Sequence, residues 1–473
     1  MENIVTRSKI NNFLNPSIIL ILLTLLAVVT GSFREPIYHD ELLNFSKAND
    51  DNFNVFNYAI RPLFYAINYL SAAVIGKGFE SQYFSSAIIF ILTILILLQI
   101  SRKLGMSTPE LPAIILCSSN IFIANSFRGM PHPLATLFIL GTIFFALSLK
   151  DEASKKNAFF LGLFVMFCLA THPTTIPALV MIALFIIFST TRVGIIYSIL
   201  STLLFFAFYN YLYFIFYGTT WVQILLGGLK KVADPVYTYY HKGFTFYFEE
   251  VFKDFYYVLI VLAGILLSRI RSVVRSWSWH FLKPSRKFTV LFLATMGSLA
   301  ILSVSEWKFT RVLSSYSFLI ALCIGIFVDN LTKDKLTNKI IALSILFALG
   351  TGSILKSINL NATQSYSDLY NVIKHLSPQK VVVVSDASMW QKTYNLRGLL
   401  LDKQFAHLNE SYIANDDIKI LMIHKKGLSE LRRISESNFA FDAPKIYSWR
   451  KTWDLYVSQK PISLARIPSV RDH

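Results

Sequence analysis

Charge is scarce in this sequence. Only 15% of its 473 residues are Asp, Glu, Lys or Arg, where a soluble domain carries about 25%. That shortage argues against a water-exposed globular surface. Cysteine is scarcer still: Cys117, Cys168 and Cys323 are the only three, each inside an apolar run. They read as small buried hydrophobes, so no disulfide framework is implied. No glycine-rich phosphate loop occurs, neither G-x-G-x-x-G nor Walker A, which argues against the usual nucleotide cradles. Internal repeats are missing too, and the apolar runs are almost free of ionisable residues.

Hydrocarbon is what the chain has in quantity. Hydrophobic residues make up 54% of it, with 40 Phe and a mean hydropathy of +0.50. Apolar runs of roughly 17–20 residues recur, the length that spans a bilayer core. They predict a polytopic, all-α membrane protein of about eleven spans: 18–30, 82–100, 110–125, 131–149, 157–171, 174–190, 193–217, 254–268, 288–304, 312–328 and 339–356. The first run has no clean small-x-small cleavage site after it, so it reads as a retained span and not as a signal peptide. Residues 58–76 are apolar but interrupted by Arg61, Pro62, Asn68 and Ser71. Leu63, Phe64, Ile67, Leu70 and Val74 form a helical stripe there, which predicts an amphipathic helix lying at the interface. The multi-pass domain is thus expected over 1–356, with a first outside loop and interfacial helix at 33–80. Residues 357–473 contain no spanning run; Val381–Val384 and the run 418–423 read as buried strands and 428–436 as a helix. A small α/β domain outside the cytoplasm is expected there.

Sidedness follows from positive charge, which stays cytoplasmic in short loops. The block of Arg269, Arg271, Arg275, Arg286 and Lys287 is the strongest vote. It places the N-terminus inside and the C-terminal domain outside, provided that 58–76 does not span. The formal net charge of +17 is therefore topological, and nucleic-acid binding is not supported.

With this topology five polar stretches face outward. They are His39-Asp40-Glu41, Arg61-Pro62, Arg128 to Thr136 with His132, His172-Pro173-Thr174, and Glu306 to Arg311 with Lys308. Ionisable groups held against a bilayer are costly and tend to be functional. Two carboxylates beside fixed cations suit transfer of a group off a phosphate: one acid serves as base while cations stabilise the departing anion. Each stretch also has a structural reading. Asp40 and Glu41 read equally as solvated loop acids, Arg61 as a head-group anchor, Arg128 and His132 as helix caps, His172-Pro173 as a turn, and 306–311 as an ion-paired turn.

In order and spacing these stretches resemble the GT-C superfamily of integral-membrane glycosyltransferases. The pattern is closest to the mannosyltransferases of lipid-linked-oligosaccharide and GPI assembly. Tyr38-His39-Asp40-Glu41 is similar to their H-P-D-E motif and Arg61-Pro62 to an R-S or R-P element. Arg128 to Thr136 resembles R-x-x-x-N-x-x-E-T, with His132 for Asn and Ala135 for Glu. His172-Pro173-Thr174 resembles R-P-T, and Glu306-Trp307-Lys308-Phe309 keeps part of H-K-E-x-R-F. Protein O-mannosyltransferases and aminoarabinose transferases are related by the same acidic first loop.

The resemblance implies an inverting transfer of one sugar from a polyprenyl-phosphate donor to a hydroxyl of a lipid-linked glycan, lipid or protein. Asp40 would be the general base, with Glu41 assisting. Arg128 and Lys308, then Arg61 and Arg311, would hold the donor phosphate, and His39, His132, His172 and Glu306 would line the sugar or acceptor pocket. Asp40, Arg128 and Lys308 are expected to border one cavity. No essential metal or other cofactor is expected, although some relatives bind a divalent ion at the first-loop acid. The expected location is a bacterial inner membrane, or the endoplasmic reticulum in a eukaryote. The rival readings are a lipid or glycan transporter or flippase, which would place ionisable groups at mid-membrane, and a surface-glycan polymerase or ligase.

Overall fold

A computed structural model describes residues 16–32, 61–76, 79–127, 129–232, 242–276, 286–304, 308–332 and 336–361, together with seven strands between 381 and 467. The chain divides into a helical unit, which holds the described helices through Ile358, and a second unit, which holds the strands.

The helices are α1 (Pro16–Ser32), α2 (Pro62–Ile75), α3 (Phe79–Lys103), α4 (Leu111–Ser118), α5 (Asn120–Ser126), α6 (Pro131–Asp151), α7 (Lys155–Thr171), α8 (Ile176–Ser189), α9 (Arg192–Tyr217), α10 (Trp221–Val232), α11 (Phe246–Ser276), α12 (Arg286–Val304), α13 (Ser317–Thr332) and α14 (Leu336–Asn361). Among the described residues, Ser81–Lys103, Pro131–Asp151 and Arg192–Tyr217 are long and apolar enough to cross a membrane; the remaining apolar helices are shorter. The chain is an integral membrane protein, mostly helical. Exposed Leu, Tyr and Phe mark the solvent it faces: Leu200, Leu203, Leu204, Tyr211 and Phe214 cover the outside of α9, a surface suited to lipid and not to water.

Helix starts are set locally. Pro62 and Pro131 open α2 and α6, where a missing N–H costs nothing. Ser154 and Thr191 cap α7 and α9, each accepting a backbone N–H at 3.2 Å. α6 is the buried centre and packs against α3 and α7, while α7 packs in turn on α9. The α7–α9 approach depends on Gly162: a Cβ there would lie 2.8 Å from the backbone carbonyl of Ser201.

α2 is 14 residues long, about 21 Å, short of the roughly 30 Å hydrocarbon core. Its apolar stripe is split between protein and surroundings. Phe64, Tyr65, Asn68, Ser71 and Ala72 are buried, whereas Leu70 and Val74 of the apolar stripe are exposed. The packed face combines two aromatic rings with small and polar residues that make interhelical hydrogen bonds. Ser85 donates to Asn68 at 3.1 Å, and Ser71 donates to the Ser81 carbonyl.

The expected span 110–125 is not one helix. It breaks at Ser119, between α4 and α5. A break in hydrocarbon survives only where neighbours satisfy the freed backbone groups, and here they do. Ser353 donates to the Ser118 carbonyl at 2.7 Å, and the Asp254 carboxylate accepts Ile121 N–H at 3.0 Å and the Ser119 hydroxyl at 2.5 Å. Asp329 plays the same part nearby, accepting Ser107 N–H at 2.8 Å and Thr108 N–H at 2.9 Å ahead of α4. The expectation of helices almost free of buried charge is corrected accordingly: Asp254 and Asp329 are both buried. Each is engaged in capping turns rather than lining a path.

The second unit contains β1 (Val381–Val384), β2 (Phe405–His407), β3 (Ile420–His424), β4 (Asn438–Phe441), β5 (Lys445–Trp449), β6 (Trp453–Val457) and β7 (Leu464–Ile467). Five form a mixed sheet in the order β2-β1-β3-β6-β5, and β4 pairs with β7. β1 runs parallel to both neighbours, with Val381 opposite Phe405 and Ile420, while β6 is antiparallel to β3. The helix expected at 428–436 lies outside the described residues.

Candidate functional site

Within the helical unit, the described polar stretches named from the sequence meet at one end of the bundle. His132 is the second residue of α6, fixed behind Pro131, and is 3% exposed. His172 ends α7, ahead of the 3-10 turn Pro173–Thr175. Their rings meet with centroids 5.0 Å apart and planes inclined at 53°.

His172 carries its own turn. Its Nδ1 accepts the Thr174 N–H at 3.2 Å and lies 2.7 Å from Thr174 Oγ1. A backbone N–H can only donate, so Nδ1 is bare and the proton of the neutral ring sits on Nε2. Loss of hydration pushes the His172 pKa well below the ordinary imidazole value of 6.5, and Arg61, His132 and Arg311 push the same way. The same two guanidinium groups lie close enough to act on His132.

Arg61 reaches this place as the residue before α2. Arg311 belongs to a second 3-10 turn, Thr310–Ser315, with its guanidinium 4.6 Å from the Phe309 ring. That turn is laced to the histidines. Ser315 donates to the His132 carbonyl at 3.3 Å and stands 3.4 Å from His132 Nδ1, while Thr136 donates to the Ser314 carbonyl at 3.1 Å. Tyr316 donates to the Thr174 carbonyl.

The strand-like entry to the turn is pinned on its other side by α11 and the residues before it. Buried Lys308 donates to the Lys242 carbonyl at 2.7 Å, and Phe309 N–H donates to Tyr247 Oη at 3.3 Å. Thr310 donates to Glu250 at 3.2 Å, and Glu250 also holds Lys253 at 2.8 Å.

The structure thus brings Arg61, His132, His172 and Arg311 together. Lys308 adjoins them through the backbone, with its ammonium engaged by Lys242. Asp40, Glu41, His39, Arg128 and Glu306 lie outside the described residues, so the cavity expected between Asp40, Arg128 and Lys308 does too. Among the described residues no three His, Cys, Asp or Glu side chains converge as a metal would need. Tyr247, Glu250, Ser315 and Tyr316 are neighbours that sequence reasoning missed. Glu250 reads in sequence as an ordinary loop acid, and a lone Ser or Tyr in an apolar run gives no signal. Two guanidinium groups beside two imidazoles make a place for an anion, with planar forks suited to phosphate.

These features define the class: an integral membrane protein with a cationic polar cluster at one end of its helical bundle. No family model matches the sequence, and no curated protein matches it. Solved structures do. ArnT, an aminoarabinose transferase, from Cupriavidus metallidurans bound to undecaprenyl phosphate is similar at a TM-score of 0.60 and 9% identity, over 94% of this chain and 98% of that one. Its apo state gives 0.58 at 10% identity, over 93% and 97%. The oligosaccharyltransferase of Archaeoglobus fulgidus, in complex with Zn and sulfate, gives 0.52 at 11% identity, over 95% of this chain and 75% of that one. Both proteins are of the GT-C superfamily, and the fold of this chain is the GT-C fold.

Proposed function

We propose that the protein is an inverting membrane glycosyltransferase that moves one sugar from a polyprenyl-phosphate donor to an acceptor hydroxyl on the extracytoplasmic face. The observation that carries this reading is the meeting of Arg61 and Arg311 with the His132–His172 pair at one end of a GT-C fold. A polyprenyl tail keeps the donor in the bilayer, so its phosphate arrives at head-group depth, where such a cluster can meet it. The structural neighbour bound to undecaprenyl phosphate supports a lipid phosphate as ligand, and a second structure of the archaeal oligosaccharyltransferase, tethered to an acceptor peptide, supports a protein acceptor.

In this mechanism Asp40 takes the acceptor hydroxyl proton, with Glu41 orienting it. The acceptor oxygen then bonds to the anomeric carbon from the face opposite the phosphate. The carbon–oxygen bond to phosphate breaks, its electron pair leaves with the phosphate, and the configuration inverts. Arg61, Arg128, Lys308 and Arg311 stabilise the leaving group, so a general acid is not needed. His39, His132, His172 and Glu306 shape the sugar pocket. The reading requires no metal. It places the protein in a bacterial inner membrane, N-terminus in the cytoplasm, with the strand-bearing unit in the periplasm.

The test is a transfer assay with purified protein over a panel of polyprenyl-phosphate sugars and hydroxyl acceptors. Consumption of one donor with appearance of an inverted glycoside supports the reading. A folded protein that consumes none of the donors, yet binds or moves them across vesicles, would favour a transporter.

A further inference from the structure

The far end of the same central helix carries a different feature. α6 starts at the polar cluster with His132 and finishes with Lys150 and Asp151, about 27 Å further along at 1.5 Å per residue. Lys150 and Lys103, the last residue of α3, line the mouth of a cavity of about 420 Å³, within the range of ligand sites. The walls are apolar, formed by residues such as Leu147, Met181, Phe185 and Leu291.

The mouth is cationic. Lys103 Nζ contacts Asp151 at 3.2 Å and lies 5.3 Å from the Phe144 ring centroid; Lys150 Nζ lies 6.0 Å from that of Phe185. Each ammonium group thus stands over an aromatic ring, and the Lys103 side chain is still 27% exposed, so the charge sits at the end of α6 where a membrane surface would lie. Two ammonium groups against one carboxylate leave this rim net positive. The depth is informative as well. On α8 the lining runs from Ser189 to Ala178, about 16 Å of helix, close to half of a roughly 30 Å hydrocarbon core. One leaflet's acyl chain fits that length, whereas a polyprenyl chain of many isoprene units would overrun it.

We infer that this cavity binds an anionic glycerophospholipid, with its phosphate between Lys150 and Lys103 and one acyl chain lying along α8 and α12. The site is on the opposite membrane face from the polar cluster and does not rest on the assignment of Asp40.

Native mass spectrometry of the full-length protein, released from detergent after addition of phosphatidylglycerol or phosphatidylcholine of identical chains, tests it. The wild type is expected to retain phosphatidylglycerol at least several-fold better. K150Q, and K103Q/K150Q, should bring the two lipids to parity, while A294W, which fills the wall and leaves the charges, should lose both adducts at an unchanged unfolding temperature. Equal retention of the two lipids by the wild type would overturn the inference. So would retention that A294W does not reduce. Lysine-dependent retention of undecaprenyl phosphate in place of phosphatidylglycerol would also overturn it, in favour of a carrier-lipid site.

Discussion

The imidazole of His132, from the start of α6, lies against the imidazole of His172, from the end of α7, with 5.0 Å between ring centroids. Two helices that meet through α6–α7 packing therefore deliver two ionisable rings to one spot, beside Arg61 and Arg311. The His172 ring, whose Nδ1 accepts the Thr174 N–H, serves as a neutral hydrogen-bonding group, and the arginines supply the charge.

The pH response follows from His172. Its pKa is lowered in the folded protein below the ordinary 6.5, so below that value the unfolded chain binds more protons than the folded one. Stability therefore falls as pH drops below about 6.5 and continues to fall until the folded ring titrates. Unfolding temperature measured between pH 7.5 and 5 should decline, and H172N should flatten the decline, because its side-chain oxygen can still accept the Thr174 N–H. An equal slope in H172N would contradict this account of the turn.

Donor affinity is expected to depend on the guanidinium forks. Losing one charge-assisted hydrogen bond to phosphate costs roughly 1.5–3 kcal/mol, so R311Q should raise the donor KM by about 10-fold or more. R311K keeps the charge without the planar fork and should recover only part of the loss. Donor titrations of initial rate would separate the three proteins; equal KM values would remove Arg311 from the phosphate site.

The Ser119 break should be sensitive to Asp254. D254A strips the acceptor from Ile121 N–H and from the Ser119 hydroxyl, each loss costing about 1–3 kcal/mol when buried. Thermal unfolding in detergent should show a marked loss of stability. D254N, which retains an acceptor oxygen, should lose less than D254A.

Close packing of α7 on α9 predicts a steric penalty. In G162A the new Cβ would meet the Ser201 carbonyl carbon and oxygen at 2.8 Å, a backbone contact that only a shift of the helices can relieve. Overpacking of this kind costs about 1–3 kcal/mol, visible as a lower unfolding temperature. G227A, where a Cβ meets nothing within 4 Å, is the matched control and should be no less stable than the wild type.

Much of the helical pattern was legible because hydropathy is decided by runs of residues within one segment. The Ser119 break was not, since 111–125 is apolar apart from small polar residues and the groups that sustain the break, Asp254 and Ser353, lie more than 130 positions away. α10 was missed because 12 residues are too few to register as a span. At the site, His132 and His172 could be picked out because prolines flank them in otherwise apolar surroundings. Glu250 and Ser315 could not, because their roles arise only when the turn Thr310–Ser315 meets α11 at Glu250 and α6 at His132. The outward Leu70 and Val74 were recognised as a stripe, but which side of α2 packs on protein depends on the Asn68–Ser85 contact.

Counting products of purified D40N and wild-type protein tests sugar transfer with a first-loop carboxylate as base. Wild type should release polyprenyl phosphate in equal amount to the sugar joined to acceptor, and D40N, folded to the same unfolding temperature, should fall by about 100-fold or more. Product formation by D40N at the wild-type rate would contradict the account.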